Sequence, residues 1–589
     1  MLSTYLVLIC LAGIAMPSGM RGQSSKTPSE KKAVETRRVA AGPAGGADLI
    51  LLHGKIWTGE ASGEFAQAVA VSAGRILDVG TDKDISAYRG TKTEVMDLKG
   101  RRVVPGLMDS HVHFIQGGFQ LLELDLKSTR NEEEFVQRIA AKAKTLAPGR
   151  WLLGGDWDEE AWPSAKLPTR ALIDSVTPNN PVLLSRYDGH SELANSLALQ
   201  KAGVTKETPD PTGGVIVRDP ATGEPTGVLK DAAEGLLDRA VPRPTDGEME
   251  EALRAALQEA ARHGVTSIGD ITVDGDSSNG SFTGEIQLLR RAEQEGWLTC
   301  RIYAITPIAD WRKLAEAGLA HDMGSDYLKL GAVKAFADGS LGSRTGWMFD
   351  PYADDATNLG LPTALMNPPS RMEELARGAD AAGIQICVHA IGDRAISEML
   401  DLYARLGGDA PAAHRFRIEH AQHLRPQDFA RFGKLGVVAS MQPYHCIDDG
   451  RWAEKRIGHE RARTSYAWRS MLKAGAPLAF GSDWPVAPLD PLLGIYAAVT
   501  RATLDGKHPE GWFPEERLSV EEALRAYTQG CAYAAFEEKE KGSIARGKLA
   551  DFVVLSDDLL AVPPEKIKDT RVVMTIVGGK QVFGAQRGD

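Results

Sequence analysis

The stretch VVPGLMDSHVHF, residues 103–114, decides the fold. An apolar run ends in two histidines two positions apart, and on an extended chain side chains at i and i+2 leave the same face. His111 and His113 can therefore direct both imidazoles at one point beyond a strand end. An isolated HxH also describes an ordinary pair of buried or surface histidines, so its meaning depends on the residues downstream of it. Six further runs have the same build: VTSIGD (265–270), YLKLGAVKAFAD (327–338), IQICVHA (384–390), RFRIEHAQ (415–422), GVVASMQP (436–443) and PLAFGSDWP (477–485). Each is a short apolar strand closing on a polar cluster, and long Ala-, Leu-, Glu- and Arg-rich helical patterns separate them. This alternation, from about Pro105 to Glu540, predicts an α/β fold, a (β/α)₈ barrel whose chemistry sits at the C-terminal mouth of its strands.

Outward from the barrel, both flanks change texture. ADLILLHGKIWTG, AQAVAVSAGRILDVG and TEVMDLKGRRVVPG before it, and KGSIARGKLADFVVLS and RVVMTIVGGKQVF after it, are β-rich runs parted by Gly turns. Residues 47–104 and 541–589 are thus expected to pair into one small β-sandwich built from both termini. Within the barrel segment 105–540, Trp151 to about Arg243 is richer in Pro, Gly and Asp and fits the repeat poorly. It reads as an insertion over the mouth, a lid. Residues 24–46 read as a flexible Ser-, Lys-, Ala- and Gly-rich spacer. Residues 1–23 hold an apolar run, Tyr5 to Met16, of signal-peptide length, which predicts an exported protein, periplasmic or secreted. No Lys or Arg precedes that run and no small-x-small cleavage site follows. An uncleaved N-terminal membrane anchor is therefore the alternative.

The chain has 589 residues, 43% hydrophobic and 25% charged, with a formal net charge of -11. These are the proportions of a globular protein, and the acidic balance excludes a nucleic-acid partner, which needs a basic stripe. A small organic substrate fits, and a homo-oligomer is compatible with it. Cys300, Cys387, Cys446 and Cys531 are scattered without a CxxC pair, which excludes a cysteine metal site and favours four buried thiols.

His389 in IQICVHA, His420 in RFRIEHAQ and Asp483 in PLAFGSDWP follow strand-like runs as His111 and His113 do. Four imidazoles and one carboxylate converging on a barrel mouth are a nitrogen and oxygen donor set suited to zinc or a similar divalent ion.

That ordered pattern, with the strings VKAFADGSLGSRTG, HAIGDRA, IEHAQ and GSDWPV, resembles the amidohydrolase superfamily, in its family-3 branch that includes N-substituted formamide deformylases. The resemblance runs from about Ala47 to Phe583. It implies metal-dependent hydrolysis of a C–N bond other than a peptide bond, with one or two metal ions. It also implies that Lys334 carries a carboxylate on its side-chain nitrogen, an N6-carboxylysine bridging two metals. An ordinary salt-bridged lysine is the alternative, and Lys329 is its rival for the position. Asp483 is the expected general base, taking a proton from the attacking water and returning it to the leaving nitrogen. Gly481 and Ser482 beside it allow a tight approach at the strand end.

His190 in YDGHSELANS, Arg344, Tyr444, His445 and Trp484 are expected to bind substrate. Arg344 is equally readable as a structural ion-pair partner, and Asn195 as a helix cap. Trp157, Trp162, Trp347, Tyr444 and Trp484 near the loops point to an apolar or aromatic substrate group, although large aromatics commonly pack cores. Two other functions suit the same residues: a deaminase or cyclic-amide hydrolase on the same site, and a non-catalytic exported binding protein.

Overall fold

The computed structural model describes residues 46–60, 65–159, 162–186, 191–211, 214–231, 233–272, 282–321 and 323–584. The leader, nearly all of the spacer, and His190 lie outside the described residues.

Eight parallel strands form the central sheet: β1 Leu107–Val112, β2 Val265–Ile271, β3 Arg301–Pro307, β4 Leu328–Phe336, β5 Gln385–Ala390, β6 Arg417–His420, β7 Val438–Met441 and β8 Leu478–Phe480. They pair in chain order from β1 to β8. The ends of the ladder then meet, because Val112 bridges Trp484 in parallel register, Asp483 N–H donates to His111 O at 2.8 Å, and His113 N–H to Trp484 O at 2.8 Å. This is a (β/α)₈ barrel. Strand β3 is the one absent from the strand-like runs of the sequence, because RIYAITP ends without His, Asp or Lys.

Helices cover the barrel by the usual logic of one apolar face. Asp246–Arg262 starts on a capping box formed by Thr245 and Glu248, and buries Ala252, Leu253, Ala256, Leu257, Ala260 and Ala261 at three- and four-residue intervals. The helix Phe114–Leu122 follows β1 directly, so His113 is its N-cap.

Two further sheets join the flanks. One orders Arg75–Gly80, Ala68–Ser72, Leu49–Leu52 and Glu94–Asp97; the other orders Lys580–Phe583, Val572–Val577, Phe552–Leu555, Arg102–Pro105, Lys55–Trp57 and Phe65–Ala66. The second is built from both flanks, with Phe552–Leu555 antiparallel to Arg102–Pro105. Leu51, Val69, Ile56, Val103, Phe552 and Ile576 share one core between the sheets. Arg102 forks onto Asp558 with both contacts at 2.7 Å, which fixes the two flanks side by side.

A fourth sheet lies between β1 and β2 in sequence, ordering Gly214–Arg218, Pro225–Asp231, Ser191–Ala194, Val182–Arg186, Leu152–Trp157 and Leu124–Asp125. It begins at Leu124, earlier than Trp151, and its first strand of two residues is too short to announce itself in sequence. Trp157 and Trp162 pack with Phe135, Leu152 and Val182 in the core of this insertion. Their indole N–H groups donate to Leu184 O and Thr129 O, so both rings serve packing. The four cysteines described are free and buried.

Candidate metal centre

Strands β1, β5, β6 and the turn after β8 carry His111, His113, His389, His420 and Asp483 to the same end of the barrel. One donor atom each from His111, His420 and Asp483 lies within 4.8 Å of the others. Asp483 Oδ1 stands 3.4 Å from His111 Nε2 and 3.4 Å from His113 Nε2. The His389 ring centroid is 4.6 Å from that of His420, which is 4.9 Å from that of His111.

The backbone is bent to achieve this. His420 and Asp483 have left-handed φ values of 74° and 61°, a conformation that costs L-residues of order 1–3 kcal/mol and gathers at functional sites. The strand period places Arg417 and Glu419 on one face of β6, and the left-handed turn re-aims His420 from the other. Gly481 has no room for a side chain: a Cβ there would lie 2.6 Å from Asp109 Oδ1. Asp109 in turn accepts the N–H of Ser482 at 3.0 Å and of His111 at 3.1 Å, tying the two strand ends together.

The outward nitrogen of three imidazoles has an acceptor. His111 Nδ1 meets Glu419 Oε2 at 2.7 Å, His420 Nδ1 meets Gln442 Oε1 at 2.8 Å, and His389 Nε2 meets Gly339 O at 3.1 Å. Gly339 O can only accept, and Glu419 as a carboxylate likewise, so the N–H points outward and the lone pair of the second nitrogen faces the centre. Burial, and secondly the nearby Lys334, push His111 and His389 down to about 4. Burial followed by His389 pushes His420 well below the usual imidazole range. Neutral imidazoles are what a metal needs. Burial opposes ionisation of Asp483, yet His113, His111, His420 and His445 hold it well below the usual carboxylate range. A neutral nitrogen set with one fixed carboxylate therefore fits a divalent cation.

Lys334, near the end of β4, is buried with Nζ 3.3 Å from His111 Nε2. Burial lowers its pKa. Lys329 points elsewhere and pairs with Glu537 at 3.2 Å, so of the two lysines only Lys334 reaches the centre.

The other expected site residues are dispersed. Arg344 forks onto Asp354 at 3.1 and 3.0 Å, and Asp354 also takes Arg456, a surface cluster that secures the loop after β4. Trp484 is buried against Phe114 and beneath Gly117, where a Cβ would lie 2.3 Å from the indole ring. Tyr444 and His445 stand on the helix Pro443–Asp449 after β7, and the His445 ring lies parallel to that of His420 with centroids 6.5 Å apart. Asn195 is the cap of the helix Ser196–Ala202.

Three further neighbours flank the centre. Phe336, half-buried at the end of β4, has its ring 5.3 Å from that of His389. Asp338 accepts the N–H of Trp347, Ile391 and Gly392 with Oδ1 3.6 Å from His389 Nε2, and burial pushes it up to about 7. Asp270, at the end of β2, takes the Phe114 N–H at 3.0 Å and is pushed up to about 6 by burial. Asp270 closes VTSIGD and Asp338 closes YLKLGAVKAFAD, so both carried a signal by their place at a strand end, and Phe336 carried none.

A barrel with neutral imidazoles and an ionised aspartate at the C-terminal mouth is the architecture of a hydrolase centre. The chain belongs to the amidohydrolase family: the model of that family, Amidohydro_3, matches residues 94–583. The chain is 41% identical over 546 residues to Protein LONG AFTER FAR-RED 3 of Arabidopsis thaliana, covering 91% of this chain and 92% of that one. It is 30% identical over 550 residues to the N-substituted formamide deformylase of Arthrobacter pascens, covering 90% and 97%. Among solved structures, a metal-dependent hydrolase from Pyrococcus furiosus superposes with a TM-score of 0.72 at 29% identity, over 87% of this chain and 99% of that one. The chain is accordingly a hydrolase acting on a small molecule.

Proposed function

We propose that this hydrolase cleaves the C–N bond of a small N-substituted amide, with N-substituted formamides as the narrowest class. The observation that carries the reading is the Asp483 carboxylate, held ionised within 3.4 Å of two imidazole nitrogens whose strand ends are fused by backbone hydrogen bonds. Likeness to a formamide deformylase over nearly the whole chain supports the substrate class.

His111, His113, His389, His420 and Asp483 would hold a divalent metal, zinc by the nature of the donors. Such an ion supplies Lewis acidity, polarising a carbonyl oxygen and making a water easier to deprotonate. Asp483 takes the proton from water as the water oxygen adds to the carbonyl carbon. It returns that proton to nitrogen as the C–N bond breaks, leaving a carboxylic acid and an amine. Lys334, buried and with its ammonium form disfavoured, is suited to carry a carboxylate on Nζ, which would give a second anionic ligand and room for two ions. Phe336, beside His389, and Tyr444, on the helix after β7, offer apolar surface to the substituent, and His445 adds to the polar lining. The leader supports export or anchoring, which fractionation of the expressed protein tests.

The deciding experiment is a screen of N-formyl and N-acyl amines against metal-replete protein, with products identified. Formate or another carboxylic acid plus amine supports the reading; ammonia from an aminated ring, or a ring-opened acid, transfers the site to deamination or cyclic-amide hydrolysis. No turnover of any class would leave the amide reading refuted.

A further inference from the structure

The helix Pro443–Asp449 starts two residues after β7 ends, so its first turn stands at the barrel mouth. Gln442, its N-cap, holds His420. Three residues on, His445 brings its ring parallel to that of His420, with an interplanar angle of 11° and centroids 6.5 Å apart. At that distance it lies beside the metal-binding imidazoles without being one of the close-set donors.

The two nitrogens of the neighbouring ring are both accounted for; one nitrogen of His445 is not. Its Nε2 is buried and has no hydrogen-bond partner among the described residues. A buried polar atom left unpaired costs about 1–3 kcal/mol, so such an atom at a reaction centre points to a partner that arrives with the substrate. Asp483 already has the proton to carry, and His111, His389 and His420 have their lone pairs directed at the centre. Beyond the Lewis acidity that a metal would supply, the oxygen on which negative charge accumulates when water adds to the carbonyl carbon can take a second, hydrogen-bonding donor.

We propose that His445 is a catalytic residue that donates an Nε2–H hydrogen bond to this oxygen, the oxyanion of the tetrahedral adduct. The assignment rests on the amide-hydrolysis reading for its reaction. Its geometry, a neutral donor facing a tetrahedral oxyanion, is testable without a substrate. Addition of water converts the C=O π pair into a lone pair on oxygen; the His445 N–H meets that charge and keeps its proton. Collapse restores the C=O bond as the nitrogen departs with the proton carried by Asp483. Donors of this kind are worth about 10²–10³ in turnover.

The test uses full-length, zinc-loaded protein and methylphosphonate as the tetrahedral oxyanion, with binding measured by calorimetry. Wild type is expected to bind it, His445→Phe about 10–100-fold more weakly at unchanged zinc content, and His445→Gln, which keeps an N–H donor, within a few-fold of wild type. On wild-type protein labelled with ¹⁵N-histidine, the His445 Nε2 resonance is expected to shift on addition of methylphosphonate, a readout independent of how the variants fold. Equal binding by His445→Phe, an unmoved Nε2 resonance, or no binding by wild type overturns the proposal. With any amide that the screen identifies, His445→Phe should lose about 10²–10³ in kcat with KM within a few-fold. Failure of wild type to hydrolyse any N-acyl amine overturns the amide reading alone, and the phosphonate result still decides His445.

Discussion

Replacing Glu419 by glutamine should separate what the centre needs from what the barrel needs. Glu419 is fully buried; Arg417 reaches it with Nε at 2.8 Å and Nη2 at 3.1 Å, and His111 Nδ1 at 2.7 Å. Glu419→Gln keeps the shape and an acceptor for His111 but leaves the Arg417 guanidinium buried without its counter-charge. Breaking a buried pair from one side costs about 3–5 kcal/mol. Losing the anionic partner of a metal-binding imidazole typically costs about 10–100-fold in metal affinity, or roughly 1.4–2.8 kcal/mol. Denaturant unfolding of metal-free protein reads the first quantity, and chelator competition reads the second. The pair Arg417→Met with Glu419→Leu removes both charges, so stability should largely return while metal affinity stays low. A Glu419→Gln protein with the unfolding midpoint and metal affinity of wild type would refute this account of the site.

Asp483→Asn should lower turnover by about 10²–10⁴, the range for a lost acid–base group, and metal content measured on the same preparation shows whether a ligand was lost as well. His111→Ala and His389→Ala should lose both metal and turnover; full metal occupancy with unchanged activity in either contradicts the donor set. Lys334→Ala should lose metal and recover part of it with added short-chain carboxylic acids, whereas intact-mass and metal analysis showing no change excludes the bridging role. His263, although burial opposes its charge, is raised to about 9 by Asp490 at 3.2 Å and Glu259 at 3.1 Å. Its contribution, at most about 3 kcal/mol, is fully present below an unfolded pKa of about 6.5 and is lost as pH rises through about 9. His263→Gln should flatten the stability profile in that window, and an unaltered profile counts against the ion pairs.

The barrel was legible where function and fold coincide. β1, β5, β6 and β8 end in side chains that only a converging site explains, whereas β3 ends in Thr306 and Pro307 and carries no such mark. The strands of both flanks were readable from their Gly-parted runs, and the core shared by Val103 and Phe552 bears out their union. The partners of the ligands were not legible. Glu419 precedes His420 in sequence but serves His111 across the barrel, a relation set by strand register and not by spacing. Lys334 and Lys329 are five residues apart; the resemblance of VKAFADG favoured Lys334, and its burial against His111, with Lys329 paired to Glu537, separates them in space. The aromatics misled for a simple reason: Trp157, Trp162 and Trp484 have large apolar areas, and burial in the nearest core outweighs exposure at a mouth.

The fork between Arg102 and Asp558 joins residues 456 positions apart in the chain. During synthesis at about 5–20 residues per second, the strand Arg102–Pro105 must wait roughly 20–90 s for its partner Phe552–Leu555 to leave the ribosome. Throughout that interval a central strand is an open edge, able to pair with any other extended chain. Barrel strand β1 begins two residues later, so the root of the His111 and His113 strand stays unanchored for as long. Nascent chains of this protein therefore carry that open edge for tens of seconds, an exposure that a chain released whole from denaturant, with both flanks already present, does not experience.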